Sequence, residues 1–379
     1  MGIAHNKNFL KIFFLIIFSG FISALYSQLD NSFLCWDDST VHKEKNIFIH
    51  LKAHHFIKDN EYDSPFALGD TYFGWQLNPE AGFCIRKNLT AEAGFYMPYF
   101  YGSGAVWQVY PSLRIRYAIR KAELIAGTLV NSLSHQLTES LYEFEEFLTR
   151  RPEYGLQLRY KNQQHFHDLW LDWRKKSFFL SREREHFRAG YSGKYTRSFH
   201  HNYNMSVILQ SMALHYGGQL DTSRSPSYSD FGFCGGILAE KKFFEASLRL
   251  DARFCMSYNQ SDVYILNTLP KATPATWLQI IFRCHLLELS GGYFFSRGYR
   301  FETANRFMNS LSYFESRNTL YFRERRVFFI RASVPFDLSG LKGIFRTDII
   351  YDNNINRWDY SVGLYLNVEE FISINRESQ

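Results

Sequence analysis

Three close histidine pairs are the first residues whose type and spacing could do chemistry: His54-His55, His165-Phe-His167 and His200-His201. Imidazole is the commonest protein ligand for a metal ion, and residues two apart on a strand share a face. His165 and His167 could therefore hold one ion, but no third ligand accompanies them, and structural or interfacial roles are expected. Asp352-Asn-Asn354-Ile-Asn356 begins like a calcium loop. Its sixth position, however, is Arg357 where Gly belongs, and its twelfth is Gly363 where an acid belongs. It reads as an Asn-rich turn, and neither a metal nor a cofactor is expected. Asp168, Asp172 and Arg174 share a face, with Glu183, Arg184, Glu185 and His186 on an adjoining segment. A carboxylate protease could be built from such a grouping. Mixed charge is also the ordinary lining of a barrel interior, and on that reading the chain is not an enzyme.

The elements that carry these residues are strands. From Phe244 to Tyr258 the chain alternates without a break: Leu248, Leu250 and Phe254 on one side, Arg249, Asp251 and Arg253 on the other. A period of two is a strand, and this one exceeds the usual soluble length of about 5–6 residues. It suits a membrane wall, which takes about 9–11 tilted residues, with lipid on one face and water on the other. The same alternation places Arg114, Arg116, Arg159, Asp168, Asp172, Arg249, Asp251 and Arg253 on the inner face, where they would line a pore. Glu245 falls on that face too.

The 379 residues are 46% hydrophobic and 18% aromatic, with a mean hydropathy of −0.29. A helical membrane protein would need several apolar runs of about 20 residues. One short run exists, Ile12 to Phe18 behind Lys7 and Lys11, and it reads as a secretory signal at 1–27. A polar lead-in at 28–45 and a barrel at 46–379 follow. An exported chain re-enters lipid only as a closed barrel, because unpaired backbone is too costly in hydrocarbon. The net charge of +6 is scattered among strands, so no nucleic-acid partner is expected. Cys35, Cys84, Cys234, Cys255 and Cys284 are odd in number and widely spaced, which supports neither a zinc site nor a disulfide framework.

About sixteen strands can be counted, all antiparallel, and their connections alternate in length. Lys87-Asn88, Arg120-Lys121, 162–164, 240–242 and 286–287 are short; 130–151, 216–228, 259–275 and 299–316 are long. Short periplasmic turns opposite long external loops are the asymmetry of outer-membrane barrels. A parity change between Leu209 and Leu214 suggests a bulge. In the last strand, Ser361, Gly363, Leu366 and Val368 resemble the signal read by the barrel-insertion machinery of Gram-negative bacteria, although the chain continues to Gln379. The layout is similar to porin-like outer-membrane barrels, and its aromatic-rich style to uncharacterised barrels of Bacteroidota. Barrel phospholipases of that membrane pair a serine with a histidine two residues earlier; no His-x-Ser occurs in this chain.

The resemblance implies an outer-membrane location, contact with its lipid, and passive diffusion of small hydrophilic solutes; homo-oligomerisation stays open. The alternative is a non-conducting barrel, an envelope scaffold or a secretion and assembly partner. Between Val130 and Arg151, Leu133, Leu137, Leu141, Phe144 and Leu148 recur at helical spacing. Glu139, Glu143 and Glu146 lie on another side. This connection is expected to fold into the lumen as a constriction loop, its glutamates toward Arg114, Arg116 and Arg159.

Overall fold

A computed structural model describes residues 34–35, 46–104, 108–178, 184–217, 227–261, 269–312, 320–338 and 341–374. The expected signal (1–27) lies outside these residues, as do Glu183 and the expected lead-in (28–45) apart from Leu34 and Cys35.

Sixteen antiparallel strands close into a barrel, each paired with its neighbours in sequence. The first four are β1 (Ile47–Glu61), β2 (Thr71–Arg86), β3 (Leu89–Phe100) and β4 (Tyr110–Ile119). Next come β5 (Ala122–Thr128), β6 (Tyr154–Lys161), β7 (His165–Lys175) and β8 (Glu185–Phe199). Then follow β9 (Tyr203–Gly217), β10 (Tyr228–Phe243), β11 (Ala246–Ser261) and β12 (Ala272–Arg283). The wall ends with β13 (Glu288–Arg297), β14 (Glu324–Leu338), β15 (Leu341–Asp352) and β16 (Arg357–Ile374). β16 meets β1 from Ile374 opposite Ile47 to Tyr360 opposite Glu61, so no edge is left open. The protein is a closed antiparallel β-barrel with an apolar outer face.

The alternation in sequence becomes the two faces of the wall. Leu250 is 53% exposed and Phe254 50%, whereas Arg249 is 7% and Asp251 4%. Placing a charge at Leu250 near the bilayer midplane should cost roughly 2–4 kcal/mol. Leu250→Arg is therefore expected to lower the urea midpoint of the vesicle-embedded protein. An unchanged midpoint would take Leu250 off the lipid face.

Several local expectations are corrected. Strand β10 runs through 240–242 to Phe243, and the turn is Phe244–Glu245, with Phe244 in the left-handed region at φ 40. A two-residue hairpin needs such a backbone. Because the sequence alternation continues through the turn, it could not mark it, and Glu245 is exposed there instead of facing inward. No bulge separates Leu209 from Leu214: β9 and β10 stay in continuous register. Met212 and Leu214 instead point inward and are buried. Cys234 and Cys255 lie opposite each other in the β10–β11 register and form a disulfide. Their separation of 21 residues carries no sign of this; only the hairpin register brings them together.

The inward apolar residues have partners because the lumen is filled. Met212, Leu214, Trp277, Phe294, Val327 and Ile350 from the wall pack on Leu141, Tyr299, Phe301, Phe307 and Met308 from two inserted connections, 129–153 and 298–312. A second cluster joins Leu133, Tyr142, Phe144, Phe147 and Leu148 to wall residues Phe56, Ile344 and Tyr365 and to Leu34. Sixteen strands could enclose water; among the described residues this barrel encloses a core.

Candidate functional site

The connection 129–153 carries the largest group of converging charges. It enters the lumen as a 3₁₀ turn at Ser132–His135, capped by Asn131 Oδ1 accepting from Leu133 N at 2.8 Å, and a short helix α1 at Phe144–Thr149. The single helix expected across 130–151 is broken at Gln136, which sits in the left-handed region. Wall glutamines satisfy the backbone at that break and at the end of α1. Gln210 donates to Gln136 O at 2.6 Å and accepts from Thr138 N at 3.0 Å, and Gln76 donates to Phe147 O at 2.9 Å and Leu148 O at 3.1 Å. Buried backbone groups require such partners.

The three constriction candidates find cations, but not the expected ones. Glu139 pairs with Arg331 at 2.7 Å, Glu146 with Arg188 and Arg150 at 2.7 Å each, and Glu143 with Arg306 at 3.5 Å. Glu145, which was not a candidate, pairs with Lys58 and accepts from Asn60 Nδ2 at 2.9 Å. Arg114 instead pairs with Glu92 at 3.1 Å and donates to Thr128 O and Leu129 O. Arg116 and Arg159 share Glu123 at 3.0 and 3.6 Å. The physical reason is proximity: neighbouring strands bring carboxylates to these three arginines before the loop can reach them. The cations left for the loop are those across the lumen.

The remaining candidates are placed as follows. Asp168 accepts from Gln157, Asp172 contacts Arg174 and accepts from Tyr154 N, Arg249 meets Glu240, and Arg253 clasps Asp251. All are turned inward within the wall. Ser361 and Gly363 are buried on the inner face of β16, while Val368 lies outward. A side chain at Gly363 would collide with the Tyr365 ring, whose hydroxyl lies 2.5 Å from a Cβ built there. His54 and His55 point to opposite faces, and His165 and His167 stack outward beside Tyr195 and Tyr191. No cluster of three metal-ligating side chains occurs among the described residues.

Sequence reading missed His135. Its Nδ1 faces Asp168 Oδ2 and its Nε2 faces Glu153 Oε2, both at 2.9 Å, and its ring stacks 3.8 Å from Trp170. No spacing signals this, since the carboxylates come from the far end of the loop and from β7. Burial opposes a charge on His135, but Asp168 and Glu153 outweigh it and hold the imidazole up at about 9 from an ordinary 6.5. Burial likewise pushes the Glu143 carboxyl up to about 8, with Glu145 adding and Arg306 opposing. A group whose pKa is higher in the docked loop binds its proton more tightly there. Its contribution is complete below the free value and is lost as pH rises through the docked one. Loop docking should therefore weaken as pH climbs from about 6.5 to about 9. Hydrogen exchange across 132–148 should quicken beyond its intrinsic pH dependence; exchange that merely follows the chemical rate would mean that the His135 contacts do not hold the loop docked.

Among the described residues the lumen is filled, its charges are paired, and its buried histidine is held between two carboxylates. Comparison with known families supplies the context: the family described as lipid A 3'-O-deacylase-type matches residues 39–376. The chain belongs to that family. This overturns the expectation that it is not an enzyme, which rested on reading the mixed inner-face charges as an ordinary barrel lining and on the absence of a His-x-Ser spacing. Comparison with curated protein sequences gave no match. Among solved structures, the chain is similar to OmpTdeltaL8, a loop-deletion mutant of an outer-membrane protein of Vibrio cholerae (TM-score 0.51, 8% identity, 86% of this chain and 100% of that one). It is also similar to Pseudomonas aeruginosa OccK2 in complex with glucuronate (0.51, 8%, 87% and 97%) and a BenF-like porin from Pseudomonas fluorescens (0.50, 8%, 86% and 99%). At such identities the likeness is one of fold.

Proposed function

We propose that this protein is an outer-membrane hydrolase that removes a fatty acyl chain from an ester of an outer-leaflet glycolipid of the lipid A type. Family membership motivates the reaction, and the filled lumen is the observation that carries the reading. Four glutamates of the inserted loop are matched by Lys58, Arg188, Arg306 and Arg331. A gap of about 40 Å³ beside Lys58, Glu143 and Asp348 is room for only a few waters. Among the described residues, an interior so filled disfavours passage of a hydrophilic solute, while the lipid-facing wall remains available to a membrane substrate. Passive diffusion draws support from the fold likeness alone.

The test uses purified protein in vesicles containing lipid A, with free fatty acid and residual lipid A followed by mass spectrometry. Loss of one acyl mass with matching free acid is expected. Intact lipid A together with solute efflux from the same vesicles would favour the porin.

A further inference from the structure

The lumen uses up its own charges, so a reacting serine or histidine is better sought on the outer wall. There, His215 of β9 stands directly opposite Ser229 of β10, and His215 Nδ1 lies 2.9 Å from Ser229 Oγ. Both point outward. Their strand neighbours Leu214 and Asp230 are buried in the lumen, while Leu209 and Phe231, on the same face as the pair, are exposed. The pair sits two residues from the end of β9, at the rim where the long connections emerge. Phe187 packs on the His215 ring at 5.1 Å and Trp173 on Phe187 at 5.7 Å. Aromatic girdles of this kind mark the membrane–water interface, which is also the level of lipid ester bonds. Toward the membrane centre the next outward residues of β9 are the small Ala213 and Ser211, opposite Phe231 and Phe233.

The geometry points to His215 and Ser229 as a catalytic dyad for a fatty acyl ester of an outer-leaflet lipid, an assignment that rests on the hydrolase reading above. A serine hydroxyl is a weak nucleophile until an adjacent base takes its proton. With the imidazole proton on Nε2, Nδ1 accepts the Ser229 proton as Oγ bonds to the acyl carbonyl carbon. The ester C–O bond then breaks, and the leaving alkoxide takes that proton from His215 to become the lipid hydroxyl. Water, giving a proton to Nδ1, attacks the acyl-serine. The proton returns to Ser229 Oγ and the free fatty acid departs. Sequence alone hides the pair because its members are 14 residues apart on different strands.

The experiment has two readouts on the full chain in vesicles. A fluorophosphonate, which reacts with activated serines, should label wild-type protein at Ser229 by peptide mass, and His215→Asn should cut that labelling at least tenfold. Release of fatty acid from lipid A or from a phosphatidylethanolamine should fall about a hundredfold or more in Ser229→Ala, which removes the nucleophile and leaves His215 no proton to accept. Heat-modifiable migration confirms that each variant is folded. Which lipid is cleaved identifies the source of the ester. Labelling of Ser229 without cleavage of either lipid keeps the dyad and overturns its lipid substrate. Lipid cleavage that survives Ser229→Ala overturns the dyad and keeps the hydrolase. Absence of labelling on folded wild type overturns the dyad outright.

Discussion

Deleting residues 134–147 should turn an electrically silent barrel into a conducting one. The segment supplies Leu141, Tyr142 and Phe144 to the two clusters that fill the lumen, and a sixteen-strand wall without them is wide enough for water. Deletion also removes Glu139, Glu143, Glu145 and Glu146, the partners of Arg331, Arg306, Lys58 and Arg188. Cations then outnumber anions along the opened path, and charged walls set ion preference. Planar-bilayer recordings are expected to show stepwise, anion-selective openings for the deletion and none for the wild type. Equal conductance in both would place the loop outside the permeation path.

The second large effect is at Arg188, whose side chain is fully buried against Glu146 at 2.7 Å. Removing one partner of such a pair leaves a charge without water or counter-ion and costs about 3–5 kcal/mol. Glu146→Leu should therefore destabilise the docked loop by about that amount, because it takes the carboxylate partner from buried Arg188, whereas Arg150 is left at the surface. The double change Glu146→Leu with Arg188→Met should recover most of the loss, since replacing a buried pair by apolar groups of similar size is often neutral. Urea midpoints of the four proteins form the cycle. A single change as mild as the double one would mean that Arg188 reaches water.

The architecture was legible because two faces of a strand are written as alternation. Leu250 and Asp251 are adjacent in sequence and could be assigned to lipid and lumen with no knowledge of any neighbour. The contents of the lumen were not legible in the same way. Inward Met212 and Leu214 broke the pattern and read as a bulge, when the cause was an apolar plug from connections that lie far off in sequence. The acidic loop stood out, but its partners depended on closure of the barrel, which brings Lys58, Arg188 and Arg331 to it from three separate parts of the wall. Arg114, Arg116 and Arg159 are nearer in sequence and are already occupied by Glu92 and Glu123. His135 and the His215–Ser229 pair were missed for a related reason: each is assembled across strands, and no spacing along the chain encodes it.

Chemistry at the outer leaflet is reached most directly by one measurement: the mass spectrum of lipid A extracted from the outer membranes of Gram-negative cells producing the protein. A species lighter by one fatty acyl chain, lost in cells producing the Ser229→Ala protein, is the predicted result. An unchanged lipid A spectrum from cells whose outer membrane holds the folded wild-type barrel would contradict it.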